Sequence, residues 1–592
     1  MRAIAHIQER LSWPEKIARL RIRLRDPQWR RYALLLIAGK VASVALLAVF
    51  IVAISRYVAH GTVFADDATS QPATQPTSQP AAAAAADPYA AIKPSDIVNP
   101  VNTAWTLVAA FLVFGMQVGF TMLEAGFCRS RETVNVLVEC VFDTCLCGLL
   151  FYAFGYAFMF GAGNGFIGWG DPNAADAAHR GSWFFLVNVP ATYGSSGVAL
   201  IAHWIFQFAF ADTCSTVTSG SMIGRTDFLG DIIYSTCVSG FIYPIIGHWA
   251  WGPDGFLNTM GGLNSTFSSF THFLPNFGMN FHDFAGSTVV HSIGGWIAIA
   301  GAIVLGPRLG RKFKRDGGAP MLPHDLTIAV SGGLILWFGW YGFNPGSTLS
   351  AMDFTGIGRV STNTTLAACA GGMTAIIFLF LRTKKWDAAA ITNGFLAGLV
   401  AITCPCYWVS PTGAVCLGGI AGVIVILGVD LLEYLRIDDP IGAWPVHGLC
   451  GIWGTLSLGL FACGQYAASG SSPTGPPVID AANNPALTGL FYGGGLKVLE
   501  AQAIGSAIIC SATFAVAMVV MLTIQYSTGR LLLSSEGQLE GMDLHEHGMS
   551  AYPEYVISAL AAPRGMPRDT VNYVPPSEGN HEDARELVGA KK

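Results

Sequence analysis

Charged side chains are scarce in this sequence. Asp, Glu, Lys and Arg make up 12% of its 592 residues, whereas they form about a quarter of an ordinary soluble domain. This scarcity argues against an aqueous globular protein, and a net charge of −5 gives no indication of nucleic-acid binding. The 13 cysteines include no C-x-x-C pair and lie mostly in apolar runs, which argues against a disulfide framework and against a metal site.

Apolar residues and glycine are abundant instead. Hydrophobic residues make up 52% of the chain, with 69 glycines and a mean hydropathy of +0.47. From residue 103 onward, apolar runs recur at about the 20-residue length that a bilayer core requires. We therefore predict an all-α polytopic membrane protein with eleven transmembrane helices. The predicted spans are 103–126, 135–160, 198–223, 230–250, 285–306, 326–345, 362–382, 388–408, 411–430, 444–464 and 498–527.

The two ends of the chain differ from this core. Residues 1–65 combine a basic stretch with an extra apolar segment, which predicts a signal peptide or a signal anchor; "VFA", ending at Ala65, is an acceptable cleavage site. Residues 66–98 are rich in Ala, Pro, Ser, Thr and Gln and predict a low-complexity linker. The predicted core covers residues 99–527, and a C-terminal tail covers residues 528–592.

Basic residues in the loops predict the orientation of the chain. Cytoplasmic loops of membrane proteins carry an excess of Lys and Arg. The loops after odd-numbered spans hold Arg129, Arg131, Arg225, Arg308, Arg311, Lys312, Lys314, Arg315, Arg382, Lys384, Lys385 and Arg436. The loops after even-numbered spans hold Arg180, Arg359 and Lys497. We therefore expect the core to begin outside the cell and the tail to be cytoplasmic.

Two predicted spans each carry a histidine near the membrane midplane. His291 lies eight residues after Asp283 in the fifth span, and His447 lies eight residues after Asp439 in the tenth. At 1.5 Å per residue each imidazole is about 12 Å deep. Because these two spans run in opposite directions, the shared spacing predicts a 5+5 inverted repeat plus one further span, with a site between the two halves.

The histidines have a structural and a functional interpretation. A single intramembrane histidine is explained by a hydrogen bond to a neighbouring helix. Two at matching depth favour a pathway, because ionisable groups in membranes usually line a route for a polar solute. A neutral imidazole pair can share a proton and offers both a donor and an acceptor. No third histidine or carboxylate follows at helical spacing, so we predict no metal site. The sequence also shows no set of nucleophile, base and orienting residue, so we predict no enzyme activity, and we predict no cofactor.

Four motifs resemble those of a known family. They are "DFAGSTVVHSIGGWIAIAGAIVLGPRLGR", "YGFNPGS", "DDPIGAWPVHGLCGIWGTL" and "EGMDLHEHGMSAY". In this order, and over roughly residues 100–555, the chain resembles the ammonium transporter family (Amt/Mep/Rh). The resemblance implies a homotrimer in the cell (inner) membrane with one pore in each subunit, and ammonium or ammonia as the transported species. It also allows a PII-type regulatory protein as a partner.

The resemblance implies roles for the pore residues. His291 and His447 match the twin pore histidines of the family, between which ammonia passes after ammonium has lost its proton. Phe210 and Phe343 match a pair of gate phenylalanines outside the histidines. From the residues alone, simple helix packing is the default interpretation of both phenylalanines.

An outer recruitment site for ammonium is also implied by the resemblance. Trp251, Ser347 and Phe210 match residues that hold the cation before the gate, with Asp283 beneath them; Trp249 is a less favoured alternative to Trp251. Taken alone, Trp251 is also explained as an interfacial anchor. A helix cap is the favoured interpretation of Asp283, because carboxylates satisfy free N–H groups at helix starts.

Two other functions remain open from the sequence. One is an ammonium sensor, although the tail shows no kinase or cyclase pattern. The other is a neutral ammonia gas channel of the Rhesus type, whose members lack the tryptophan–serine recruitment pair. Trp251 and Ser347 therefore favour an Amt-type transporter that moves the proton and ammonia separately.

Overall fold

The computed structural model describes residues 93–174, 179, 181–260, 279–468, 479 and 485–553. The predicted signal segment at 1–65 and nearly all of the linker at 66–98 lie outside the described residues, as does the tail beyond residue 553. The first described helix begins at Pro94, inside the predicted linker, and proline suits this first helical position. The Asp96 carboxylate caps the helix by accepting a hydrogen bond from the Lys93 backbone N–H (2.9 Å).

The described chain is mostly helical, as predicted. Four of the long helical segments change between α and π geometry along their length. The segments are α1 (Pro94–Phe114, continuing as Met116–Phe127), α2 (Thr133–Leu150, π-helix Phe151–Gly155, Tyr156–Phe160), α3 (Leu200–Gly220), α4 (Phe228–Cys237, π-helix Val238–Ile242, Tyr243–Trp251), α5 (π-helix Ser287–Ser292, Ile293–Leu305), α6 (Leu326–Gly346), α7 (Phe354–Thr383), α8 (Ala388–Thr403), α9 (Pro411–Leu435), α10 (π-helix Trp444–Leu449, Cys450–Phe461), α11 (Lys497–Thr528), α12 (Ser535–Glu540) and α13 (Met542–His547).

Among the described residues, 8 helical segments are long and apolar enough to cross a membrane. They are α1, α2, α4, α5, α6, α7, α9 and α11. Segment α8 is apolar but shorter, and α3 and α10 bury polar side chains that lower their hydropathy, among them Asp212 and His447. The chain is therefore a multi-pass membrane protein, and the count of eleven crossings stays a prediction.

Glycines allow the helices of the bundle to approach closely. Where α1 crosses α6, a Cβ on Gly119 would lie 2.9 Å from the carbonyl oxygen of Gly332. Where α8 crosses α7, a Cβ on Gly398 would lie 3.1 Å from the Cα of Ala368. Small residues at such crossings are typical of membrane helices, which associate through close packing.

The C-terminal tail covers one end of the bundle. Leu532 pairs with Thr226 in an antiparallel bridge after α3, before the tail forms α12 and α13. Arg131 donates to a carbonyl of α12 (2.7 Å), and the side-chain oxygen of Gln538 accepts from the Leu309 backbone N–H (3.0 Å). The tail therefore contacts the loops after α1, α3 and α5, which lie together at what we call the tail face.

Short antiparallel ladders lie in loops at the other end of the helices, which the all-α prediction did not include. They occur in the loops after α2 and after α10. The pairs are β1 (Ala162–Gly163) with β2 (Gly168–Gly170), β3 (Thr192–Tyr193) with β4 (Val198–Ala199), and β5 (Cys463–Ala467) with β6 (Ala486–Thr488).

Candidate functional site

The two predicted histidines meet inside the bundle. The Nδ1 atoms of His291 and His447 are 3.1 Å apart, which is a hydrogen-bond distance. Both imidazoles are buried, at 0% and 7% exposure. Because the two facing atoms are equivalent, one imidazole must donate and the other must accept, so a single proton lies between them. The Nε2 atom of His291 has no hydrogen-bond partner among the described residues.

Each histidine is held by the same local arrangement. Asp283 accepts hydrogen bonds from four successive backbone N–H groups, from Gly286 to Val289, at 2.8–3.0 Å. Asp439 accepts three, from Gly442 to Trp444, at 3.0–3.1 Å. The glycine three residues after each aspartate has a positive φ (110° and 79°), which a side chain would strain. A π-helix follows in both cases and carries the histidine.

Two further glycines allow α5 and α10 to cross at the histidines. Gly295 lies four residues after His291, and a Cβ there would lie 2.7 Å from the Cα of Gly448 on α10. Gly451 lies four residues after His447, and a Cβ there would collide with the carbonyl oxygen of Ser287 on α5. The contact is therefore reciprocal, and it explains how two imidazoles on different helices come within hydrogen-bond distance.

Aromatic rings cover one side of the histidine pair. Phe210 and Phe343 stack with ring centroids 3.9 Å apart and an angle of 19°, and both are fully buried. Phe343 in turn lies 5.4 Å from the His291 ring, and Trp340 stacks on His291 at 5.1 Å. The indole N–H of Trp340 donates to Thr403 (2.9 Å), which fixes the ring against the histidine.

The predicted recruitment residues lie next to the two stacked phenylalanines. Trp251 is partly exposed, its ring is 6.2 Å from Phe210, and its indole N–H donates to the backbone carbonyl of Asp283 (2.8 Å). Ser347 is also partly exposed, and its hydroxyl donates to the carbonyl oxygen of Phe343 (2.8 Å). That bond uses the serine proton and leaves oxygen lone pairs available to accept.

Trp249, the less favoured tryptophan, lies elsewhere. Its indole N–H donates to the carbonyl oxygen of Phe166 (3.0 Å), and its ring packs against Phe256 at 5.3 Å. It therefore belongs to the loop packing at the end of α4. No contact of Trp249 with the stacked phenylalanines is seen among the described residues.

Several residues that build this site are not among those predicted from the sequence. Trp340 was not singled out, although it lies one turn from Phe343 on α6. Gly295 and Gly451 were missed as well, and the signal was present: both halves read D-x2-G-x4-H-x3-G. Extending the comparison of the two aspartate–histidine segments by a few residues would have found both glycines.

A buried ion pair anchors the tail-face end of α10. The Arg308 guanidinium donates two hydrogen bonds to the Asp438 carboxylate, at 2.8 and 3.0 Å, and its backbone N–H donates a third at 3.0 Å. Burial alone would raise the pKa of Asp438, but the hydrogen bonds and charge of Arg308, with the charge of Arg225, lower it below its usual range. Asp438 is therefore ionised, directly before the aspartate that holds the His447 segment.

The family of this chain follows from comparison with known proteins. The model of the Ammonium Transporter Family matches residues 104–552. Ammonium transporter Amt2 of Archaeoglobus fulgidus is 39% identical over 471 residues, which cover 79% of this chain and 91% of that protein. A putative ammonium transporter of Synechocystis is 41% identical over 376 residues, covering 62% of this chain and 77% of that protein.

Solved structures agree with this assignment. A protein described as "Sensor Amt Protein" is similar with a TM-score of 0.63 and 33% identity, covering 76% of this chain and 99% of that chain. Mep2 of Candida albicans is similar with a TM-score of 0.63 and 25% identity, covering 83% of this chain and 96% of that chain. The chain belongs to the Ammonium Transporter Family.

Proposed function

We propose that this protein takes up ammonium by recruiting the cation, removing its proton and conducting ammonia past the histidine pair. Membership of the family supports ammonium as the transported substrate. The observation that carries the mechanism is the 3.1 Å contact between the Nδ1 atoms of His291 and His447 in a buried site.

Recruitment takes place at the partly exposed residues outside the stacked phenylalanines. Ammonium loses water on entry, and each aromatic face returns about 0.5–2 kcal/mol through cation–π attraction. Trp251 and Phe210 offer such faces, and the Ser347 oxygen offers an acceptor for an ammonium N–H. Asp283 contributes at a distance, because its own oxygens are occupied by four backbone N–H groups.

The stacked pair of Phe210 and Phe343 is the gate. Two buried rings 3.9 Å apart leave no space between them, so one must move to admit a molecule. A bare cation is costly in the apolar region behind them. This cost favours passage of neutral ammonia, with the proton transferred separately.

The histidine pair can perform both tasks, binding neutral ammonia and transferring the proton. If His291 donates its Nδ1 proton, its Nε2 atom accepts, while the Nε2 atom of His447 carries a proton and donates. Ammonia is both a donor and an acceptor, so the pair can bind it at both ends. Shifting the central proton reverses the polarity, which lets the pair pass a proton along.

The proposed architecture has eleven crossings in two inverted halves of five with one added. The identical D-x2-G-x4-H-x3-G arrangement on α5 and α10 supports the repeat. Segment α3 is 21 residues long, about 31 Å, which is sufficient for a crossing. The loop charges support a cytoplasmic tail face, and the inner membrane is proposed from the family alone.

Assembly and partners are proposed from the family alone. We propose a homotrimer, for which native mass spectrometry of the solubilised protein is the test. A PII-type regulatory protein would bind the tail face, and co-purification across a range of ATP and 2-oxoglutarate concentrations tests this.

The deciding experiment measures charge movement in proteoliposomes on a solid-supported membrane after an ammonium jump. Wild type should give a transient current, and His291→Ala combined with His447→Ala should abolish it. His324→Ala is the matched control, because that histidine lies at the tail face, bonded to Cys128 and Tyr552. A wild type without current that still admits ammonia to a pH dye would instead be a neutral channel. A core that moves neither charge nor ammonia would favour a sensor.

A further inference from the structure

A row of buried polar side chains runs between α2 and α4, away from the histidine pair. Asn135, Glu139 and Asp143 follow at intervals of four residues on α2, and Asp231 and Ser235 have the same interval on α4. Residues four apart lie on one face of a helix, and these two helices pack together. All five side chains are at most 4% exposed. We call this row the carboxylate seam.

The carboxylate seam contains no counter-charge. Among the described residues, Glu139, Asp143 and Asp231 form no ion pair. The titratable groups that face the seam from helices α1 to α4 are themselves acidic: Glu124 on α1, Cys140 on α2, Asp212 on α3 and Tyr234 on α4. The tail helix α13 also packs against α2, and it places Asp543 and His547 beside Asn135 at one end of the seam. Several ionised carboxylates without a cation inside a membrane would cost more than the roughly 5–15 kcal/mol by which proteins are stable.

The hydrogen bonds of the seam leave carboxyl oxygens without a donor, and protons can bind at these oxygens. Glu139 accepts from the side-chain amide of Asn135 (3.2 Å) and from the Tyr234 hydroxyl (3.4 Å). Asp231 faces the Glu139 carboxyl and the Tyr234 hydroxyl, but that hydroxyl is bonded to Glu139, and neither Asp231 oxygen has a hydrogen-bond partner among the described residues. One proton shared between these two carboxyls converts their repulsion into an O–H···O hydrogen bond.

Asp143 is a second position along the seam at which a proton can bind. Both oxygens of Asp143 lack a donor in the described part of the chain. The hydroxyl of Ser235 faces Asp143, is fully buried and also lacks a partner there. The Ser235 hydroxyl can accept from a protonated Asp143 or donate to one oxygen of an ionised Asp143, which would leave the second oxygen without a donor.

We propose that the carboxylate seam is an intramembrane proton-binding site that holds at least one exchangeable proton at neutral pH. A proton needs no cavity, which agrees with side chains that are almost completely buried. Within the described residues no group of His, Cys, Asp and Glu is placed to hold a metal ion. The site is separate from the histidine pair and does not depend on the proposed transport mechanism.

The tail is linked to this site through Asn135. The Asn135 amide nitrogen donates to Glu139, so its oxygen is the acceptor for the Nε2–H of His547 on α13 (2.9 Å). Asp543, also on α13, accepts from the Asn135 backbone N–H (3.0 Å). The docked tail therefore orients the amide that stabilises ionised Glu139, and proton loading and tail docking influence each other.

Infrared spectroscopy of the full-length protein in lipid tests the proposal. Wild type at neutral pH should show a carboxylic-acid C=O band that shifts in D₂O, and the band should be weaker in Asp231→Asn and in Glu139→Gln. Asp353→Asn is the matched control, because that buried carboxylate accepts from Tyr407 and the Gly356 backbone (2.7 and 3.0 Å) and should leave the band unchanged. A wild type without the band overturns the proposal even if both seam variants fail to fold. An undiminished band in folded Asp231→Asn also overturns it.

The tail link has its own variant. His547→Phe keeps a ring beside Phe228, which lies at 5.3 Å, but loses the N–H that holds Asn135. Its carboxylic-acid band at neutral pH should be stronger than that of wild type, because ionised Glu139 loses a well-oriented donor. His545→Phe on the same helix is the control, since His545 bonds to Glu540 instead. Equal bands in His547→Phe and wild type would overturn the link.

Discussion

Replacing Asp283 by asparagine tests whether this residue stabilises the backbone or binds the transported cation. Each carboxylate oxygen accepts two of the four N–H groups that begin the His291 segment. In Asp283→Asn one oxygen remains, while the new NH₂ group faces two N–H donors. Asp439 offers an internal comparison, because one of its oxygens accepts two N–H groups and the other accepts one.

The expected loss of stability follows from the number of hydrogen bonds that each substitution removes. A hydrogen bond to a charged group contributes about 1.5–3 kcal/mol, so losing two in Asp283→Asn should lower the free energy of unfolding by roughly 3–6 kcal/mol. Asp439→Asn can lose only one, if its amide nitrogen takes the less occupied position, which gives roughly 1.5–3 kcal/mol. Total stabilities are about 5–15 kcal/mol, so Asp283→Ala, which loses all four bonds, should prevent stable folding.

The order of stabilities is measured by heating the solubilised protein and then determining the folded fraction by size-exclusion chromatography. We expect Tm to fall from wild type to Asp439→Asn and further to Asp283→Asn. Asp430→Asn, at a partly exposed carboxylate on α9, should leave Tm close to that of wild type. If Asp283→Asn kept the wild-type Tm but lost the ammonium current, the carboxylate would act on the cation and would not be needed to stabilise the backbone.

Three further changes have defined outcomes. Gly295→Ala should lower the free energy of unfolding by about 1–3 kcal/mol and reduce the ammonium current, because its Cβ would lie 2.7 Å from the backbone directly after His447. A current equal to that of wild type would show that transport does not need this close contact between α5 and α10. Phe343→Ala should raise the methylammonium current relative to the ammonium current by removing one gate ring, and an unchanged ratio would argue against the gate. Asp438 has a lowered pKa in the folded state, so the stability it contributes is present above about pH 4 and is lost as the pH falls below that value. The difference in Tm between wild type and Asp438→Asn should therefore shrink from pH 7 to pH 3, whereas a constant difference would mean that the Arg308 pair contributes no pH dependence.

The sequence predicted the meeting of the two histidines because depth depends on residue number alone. Eight residues after an aspartate is the same distance on either helix, and opposed loop charges suggested that the helices run in opposite directions. The Nδ1-to-Nδ1 contact was not predictable, since it depends on the π-helical turns that rotate each imidazole. The shared pattern D-x2-G-x4-H-x3-G marks both segments, but hydropathy and residue spacing do not distinguish a π-helix from an α-helix.

Helix boundaries show a second limit. Segment α7 begins at Phe354, eight residues before the predicted span at 362, because the Asp353 side chain caps the helix there by accepting from the Gly356 N–H, which a hydropathy average does not detect. The carboxylate seam was not predicted, because a hydropathy average also conceals single acidic residues. Glu139 and Asp143 lie within a run whose average remains strongly apolar, so averaging concealed the acids inside it.

The tail contacts also have a consequence for how the protein is made. The backbone N–H of Leu533 bonds to Arg225, and that of Asp543 bonds to Arg131, so two loops between early helices find their partners in the last part of the chain. During synthesis those loops emerge long before residues 531–549 exist. The helices can therefore be synthesised and still lack these backbone pairs, so docking of the tail completes the backbone pairing of both loops. A nascent or truncated chain would present these unpaired loop groups to quality-control proteases, and the finished protein would not.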